Sequence, residues 1–168
     1  MPVMLIAILS DSHDNMENIK KALELTKARG ISEGLHLGDM CAPPAAILLA
    51  ESGLKWHCVW GNVDGDKLQT YRKTAEYGTM EYAEQDFAEI ELGGKKIFIT
   101  HYPEVARIAA LSGRYDAAFH GHNHVAAQEM VGESLLANPG EVAGFRFGKP
   151  SFGIYDTETG NFEHVSLL

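Results

Sequence analysis

The stretch Val3-Met4-Leu5-Ile6-Ala7-Ile8-Leu9-Ser10-Asp11-Ser12-His13-Asp14 passes without a break from apolar side chains to acids and an imidazole. A continuous apolar run of this length marks a strand covered on both faces. Val3–Ser10 therefore predicts a buried first strand, with Asp11 and His13 just past its carboxyl end. The run is far short of the roughly 18 apolar residues needed to span a bilayer. No basic residue precedes it and acids end it, so it reads as a strand and not as a secretory signal.

Outward from this strand, Asp14-Asn15-Met16-Glu17 has the spacing of a capping box. Ile19, Ala22, Leu23 and Thr26 follow at helical spacing, and Gly30 stops the helix. Gly34–Leu37 reads as a second strand ending at Gly38-Asp39. Pro43-Pro44 opens a helix to about Glu51, and Trp56–Trp60 reads as a third strand breaking at Gly61-Asn62. A β-α-β-α-β run predicts a parallel sheet with right-handed crossovers. Residues 65–84 lack a clean period and read as loop with a helix in part. Beyond them, Asp86–Leu92 and Lys95–Thr100 flank Gly93-Gly94 as a hairpin. Pro103–Leu111 predicts a helix, Ala117–Phe119 a strand, and the tail alternates short strands with turns at Asn138-Pro139-Gly140 and Glu158-Thr159-Gly160, ending in Phe162–Leu167. The expected fold is α/β, with two mixed sheets packed face to face and helices on the outer faces, in one domain spanning 1–168.

The 168 residues carry 14 Lys and Arg against 23 Asp and Glu, a net charge of −9. Such a balance argues against broad binding to nucleic acid or an anionic membrane. Cys41 and Cys58 form no CxxC pair and are too few for a disulfide framework, which points to free thiols in a reducing cytoplasm. Eight histidines stand out, three of them crowded at His120, His122 and His124.

Position explains the crowding. Asp11 and His13 follow the first strand, Asp39 the second, Asn62 the third, His101 the Lys95–Thr100 strand, and His122 and His124 the Ala117–Phe119 strand. Ligands in α/β sheets bind outside the carboxyl ends of strands, so these loops should converge. Oxygen and imidazole donors with no thiolate suit divalent first-row metals better than a structural zinc site or a calcium cage. Seven donors are too many for one open catalytic ion and about right for two. An Asp after a strand commonly just caps the next helix, but that role does not explain the four histidines placed with the two acids. Two dications would offset four of the nine surplus negative charges, leaving an acidic protein with one electropositive mouth fit for a phosphate.

The series Asp11-x-His13, Gly38-Asp39, Gly61-Asn62-x-Asp64, His101 and Gly121-His122-x-His124 resembles the calcineurin-like metallophosphoesterases, and the length and the Asn138-Pro139-Gly140 tail are similar to the small YfcE-like branch. The resemblance implies a four-layer α/β/β/α fold and a phosphodiesterase acting on a small phosphate ester. It implies two divalent ions, Mn²⁺ foremost, with Ni²⁺, Fe²⁺ or Zn²⁺ as alternatives. Asp11, His13 and His124 would bind one ion, Asn62, His101 and His122 the other, and Asp39 both. A metal-bound hydroxide would attack, with no side chain assigned as catalytic beyond it. Two positions depart from the pattern. Val63 stands where many larger relatives carry a His that protonates the leaving group, and Tyr102 follows His101 where small relatives often have Gly. Asp64 and His120 are candidates to support the ligands, Asp64 by orienting Asn62. His36 reads as a supporting or packed histidine, and His57 and His164 carry no assigned role. Lys67, Arg72 and Lys73 read as a solvated surface.

Two other readings compete. A retromer subunit shares the fold as a non-catalytic interaction module, but it lacks a full ligand set and this chain has all seven donors. Nucleases of the family carry extra domains and basic surfaces absent from this sequence.

Overall fold

The computed structural model describes residues 4–168, so Val3, expected to open the first strand, lies outside the described residues. Strand β1 (Leu5–Leu9) leads to helix α1 (Met16–Ala28), followed by β2 (Glu33–His36), α2 (Pro43–Glu51) and β3 (Lys55–Cys58). Strands β1, β2 and β3 pair in parallel as expected. The stretch without a period forms α3 (Lys67–Ala75) and a further strand, β4 (Met80–Tyr82), which pairs parallel with β3. The helix expected in part of that stretch is α3, whereas the strand β4 was not expected. Next come the hairpin β5 (Phe87–Leu92) and β6 (Lys95–Thr100), α4 (Pro103–Leu111), β7 (Ala117–Phe119), β8 (Ala127–Val131), β9 (Ser134–Asn138), β10 (Ser151–Asp156) and β11 (Phe162–Ser166).

Strand β3 ends two residues earlier than the sequence suggests, at Cys58, and Trp60 belongs to the following loop. The start of α1 is also corrected. Asn15 is the cap, its side chain accepting from the Asn18 N–H, whereas the Asp14 carboxylate accepts from the Ala42 N–H. The predicted inward face of α1, Ile19, Ala22, Leu23 and Thr26, is the buried one.

One sheet has the order β11-β10-β1-β2-β3-β4 and the other β5-β6-β7-β9-β8. Alternation along β1 sorts its side chains between two cores. Ile6 and Ile8 join Leu35, Leu37, Ile97, Ile99 and Phe119 between the sheets, whereas Ala7 and Leu9 face α1 and α2 with Ile19, Ala45 and Leu49. A third core packs α4 against the second sheet through Phe98, Ala106, Ala110 and Leu136. Three cores between four layers give the α/β/β/α sandwich, and full coverage of β1 accounts for its unbroken apolar run. Among the described residues no helix is long and apolar enough to cross a membrane.

Candidate metal centre

The loops after β1, β2, β3, β6 and β7 meet at one end of the sandwich, held together by their own backbones. Asp11 N–H donates to the Gly38 carbonyl at 3.1 Å, His13 N–H to Asp39 at 3.0 Å, and Gly121 N–H to His101 at 3.1 Å. Two glycines permit this closeness by lacking a side chain. A Cβ on Gly61 would fall 2.0 Å from Asp39 Oδ1, and one on Gly121 would fall 1.9 Å from Ser10 Oγ and 2.5 Å from Asp11 Oδ2.

All seven residues singled out by position converge here, in two groups that share Asp39. In the first, one donor atom each from Asp11, His13, Asp39 and His124 lies within 4.8 Å of every other. His13 Nε2 is 3.3 Å from His124 Nε2, and His124 Nε2 is 3.4 Å from Asp11 Oδ1. In the second, Asn62 Oδ1 lies 3.0 Å from His101 Nε2 and 2.9 Å from His122 Nδ1, and these two nitrogens are 3.2 Å apart. Asp39 Oδ2 is 3.7 Å from His13 Nε2 and 3.4 Å from His101 Nε2. Its other oxygen, Oδ1, is taken by the Val63 N–H at 3.0 Å. One oxygen of Asp39 thus faces both groups while the backbone holds the other.

Several observations fit a cation. His101 Nδ1–H donates to the Leu37 carbonyl at 2.7 Å and His124 Nδ1–H to Glu141 Oε2 at 2.7 Å. Each bond places the ring proton on the outer nitrogen and turns an Nε2 lone pair inward. Each inward lone pair lies 3.2–3.3 Å from a ring nitrogen of a second histidine, His122 for His101 and His13 for His124, so ring nitrogens of different loops converge on one point where a cation can sit. Asp11 Oδ2 accepts from Ser10 Oγ and the His122 N–H, but the buried Oδ1 has no hydrogen-bond partner. A buried carboxylate oxygen left unpaired is costly; burial accordingly pushes the Asp11 carboxyl above its ordinary range. Burial also opposes charge on Asp39, but with no metal bound a protonated His101 ring and the Val63 N–H outweigh it and hold that carboxyl low.

Five of the seven, Asp11, His13, Asp39, His122 and His124, have φ between 41° and 72°. Left-handed backbone costs about 1–2 kcal/mol for a residue with a Cβ, and such strain gathers where surrounding structure fixes a functional geometry. Here the loop-to-loop hydrogen bonds do the fixing.

The supporting residues differ in part from expectation. Asp64 does not orient the Asn62 side chain. Its carboxylate instead accepts from the backbone N–H groups of Gly61 at 2.6 Å, Asp39 at 3.0 Å and Cys41 at 2.8 Å, tying the second loop to the third. His120 is buried and its Nδ1 lies 3.1 Å from the Gly121 carbonyl; among the described residues its ring bonds to no ligand side chain. His36 supports the first loop. Its Nδ1 accepts from Gly38 N–H and its Nε2–H donates to Ser12 Oγ, while burial pushes its pKa down to about 3 and keeps it neutral. His57 lies between Glu33 and Glu81, and His164 bonds to the Asn138 carbonyl, both apart from the centre. Lys67 lies over the Trp60 ring, and Arg72 and Lys73 are exposed in the last turn of α3. The Tyr102 ring packs against His101 at 5.3 Å and His122 at 5.6 Å, walling one side of the centre. The Val63 side chain is 44% exposed at the mouth.

The residue that sequence reasoning missed is Glu141. It is buried, orients His124, and also accepts from the Arg146 and Phe147 N–H groups. Burial disfavours its charge, but the His124 ring and these two N–H groups outweigh that and hold its carboxyl below the usual range. An acid directly after the Asn138-Pro139-Gly140 turn and before the apolar pair Val142-Ala143 was the available signal. Loss of such an outer carboxylate typically lowers metal affinity 10–100-fold. Glu141→Gln should weaken Mn²⁺ binding by about that factor in calorimetric titration while the unfolding temperature stays near that of the wild type. Unchanged affinity would remove Glu141 from the centre.

Comparison with known proteins gives the same picture. The family model for the calcineurin-like phosphoesterase superfamily domain matches residues 4–160. The chain is 33% identical to phosphodiesterase MJ0936 of Methanocaldococcus jannaschii, over 98% of this chain and 99% of that one. A solved structure of an archaeal phosphodiesterase superposes with a TM-score of 0.90 at 31% identity, covering 97% of this chain and 99% of that one. YfcE, a phosphoesterase from E. coli, shares the fold with a TM-score of 0.68 at 21% identity, over 98% and 100% of the two chains. Vps29 of Entamoeba histolytica, solved with Zn²⁺, shares it with a TM-score of 0.65 at 19% identity, over 98% and 100%.

Proposed function

Because this chain belongs to the calcineurin-like phosphoesterase superfamily, we propose that it hydrolyses a small phosphodiester at a centre of two divalent metal ions, Mn²⁺ foremost. The observation that carries this reading is Asp39, whose Oδ2 faces both donor groups while Val63 N–H occupies Oδ1. Asp11, His13 and His124 would hold one ion, Asn62, His101 and His122 the other, and Asp39 would be common to both. Two such ions, when bound, make a coordinated water acidic enough to act as nucleophile and clamp the phosphate oxygens.

The chain's own residues arrange this chemistry. His101 is buried and fixed by the Leu37 carbonyl, whereas Asn62 and His122 are exposed, so the second group is the more open of the two. Val63 lies at the mouth with no proton to give a departing alcohol, which favours esters whose leaving group needs none. The 33%-identical phosphodiesterase supports a diester as the preferred class. The −9 charge supports a small substrate over an extended nucleic acid. A cytoplasmic setting is part of the reading, supported by the free Cys41 and Cys58, as is action of 1–168 as one domain. The Vps29 fold is also compatible with an interaction module, but the seven converging donors favour the enzyme.

The test is direct. Metal-stripped protein should be inactive on bis(p-nitrophenyl) phosphate, and added Mn²⁺ should restore hydrolysis, with p-nitrophenyl phosphate turned over more slowly. Failure of the fully loaded protein to hydrolyse either ester would overturn the reading.

A further inference from the structure

Beside the metal centre is a groove of ≈ 380 Å³ lined by His124, Val125, Ala126, Phe147 and Lys149. One of its lining residues, His124, is a metal-ligand candidate, so the groove adjoins the centre. Its remaining walls are apolar apart from one ammonium. Val125 is 45% exposed and Phe147 52%, and such aromatic exposure beside a polar centre is what a ligand covers.

Phe147 belongs to the loop Gly144-Phe145-Arg146-Phe147-Gly148-Lys149, and the loop's position is fixed from within. The Glu141 carboxylate that receives the His124 ring proton also receives the Arg146 and Phe147 N–H groups. The ring of Phe147 is therefore set relative to His124 by one shared side chain. Arg146 lies over that ring at 5.9 Å. Arg146 and Lys149 are exposed and are not among the ion-paired lysines and arginines of the described residues. In a chain of net charge −9, this sets two unpaired cations and an aromatic ring beside the proposed phosphate site.

We propose that this groove seats the ester arm of the substrate, and that the arm carries a flat aromatic ring, stacked on Phe147 with Lys149 at its polar edge. The inference rests on the phosphodiesterase reading and adds the substrate class to it. A slot walled by one ring and by the short side chains of Val125 and Ala126 selects a planar group over a small alkyl one. The ring is an aryl group or a nucleobase, which share the π-face that Phe147 recognises.

Binding to the Mn²⁺-loaded protein, measured before appreciable hydrolysis of these slowly turned-over monoesters, tests this. Calorimetry with methyl phosphate, phenyl phosphate and thymidine 5′-monophosphate should show the two ring-bearing esters binding about tenfold or more tightly than methyl phosphate, the scale of one lost stacking platform. Phe147→Ala should bring that preference below about twofold, Phe147→Trp should restore it, and Lys149→Ala should weaken both ring-bearing esters. Thymidine monophosphate bound more tightly than phenyl phosphate would support the groove with a nucleotide as its ligand, and equal affinities would support it for any flat ring. Equal binding of all three esters to the wild type, or full preference retained in Phe147→Ala, would overturn the proposal. A change in oligomeric state in Phe147→Ala with the preference intact would overturn it too, and would assign the loop to self-association. Loaded wild type that hydrolyses no diester would instead sink the underlying phosphodiesterase reading, so the two failures are distinguishable.

Discussion

Alanine at position 39 should lower kcat/KM for bis(p-nitrophenyl) phosphate by at least about 10³-fold. Lewis-acid stabilisation by bound ions is worth several kcal/mol, and each 1.36 kcal/mol is tenfold in rate. Asp39 is the one side chain whose free oxygen faces both donor groups, at 3.7 Å from His13 and 3.4 Å from His101. Asp39→Asn keeps the shape and the Val63 contact but removes the charge two cations would share, so it should lose nearly as much. The direct measurement is metal content, which should fall by at least one ion per chain relative to the wild type. A variant that binds two ions with wild-type affinity and retains a tenth of the activity would refute the shared role.

Gly61→Ala should be damaging out of proportion to the single methyl it adds. Its Cβ would stand 2.0 Å from Asp39 Oδ1, 2.5 Å from Asp39 N and 2.8 Å from Asp39 Cγ, so carboxylate and backbone must both move. That shift would break the bonds Asp39 makes to Val63 N–H and to the Asp64 carboxylate. Overpacking of this kind costs about 1–3 kcal/mol of stability, and a displacement near 1 Å in a catalytic group costs about 10²-fold in rate. Gly65→Ala is the matched control four residues on. There the nearest atom to a new Cβ is the Cys41 carbonyl oxygen at 3.6 Å, so denaturant midpoint and rate should stay close to the wild type. Equal behaviour of the two variants would show that the close approach at Gly61 carries no function.

Sequence legibility tracks how local the physical cause is. The apolar run of β1, the prolines that open α2 and α4, and the Gly93-Gly94 turn act within a few residues, and each of these elements lies where expected. Helix α3 was obscured because the residues it buries are Thr70 and Thr74, whose hydroxyls read as polar. Strand β4 has three residues at a sheet edge, too short for a period to show. The donors were legible because each follows a strand, and strand ends in this architecture share one edge. Partners distant in sequence were not. Glu141 meets His124 across 17 positions, and Asp64 reaches Asp39 across 25, so the part each plays exists only once the loops have docked.

Strand β1 lies between β2 and β10, which pairs with it antiparallel from Leu5 with Asp156 to Ile8 with Gly153. On the ribosome, β1, β2 and β3 are complete long before β10 exists, and one edge of β1 stays open meanwhile. At a synthesis rate of about 5–20 residues per second, the intervening 100 or so residues take roughly 5–20 s. An apolar edge exposed for that time is a template for pairing with another nascent chain. Misassembly during biosynthesis, more than unfolding of the finished protein, is therefore where this topology is most vulnerable. The carbonyls of Ser10 and Asp11, among the first residues made, meanwhile wait for the N–H groups of Val142 and Ala143.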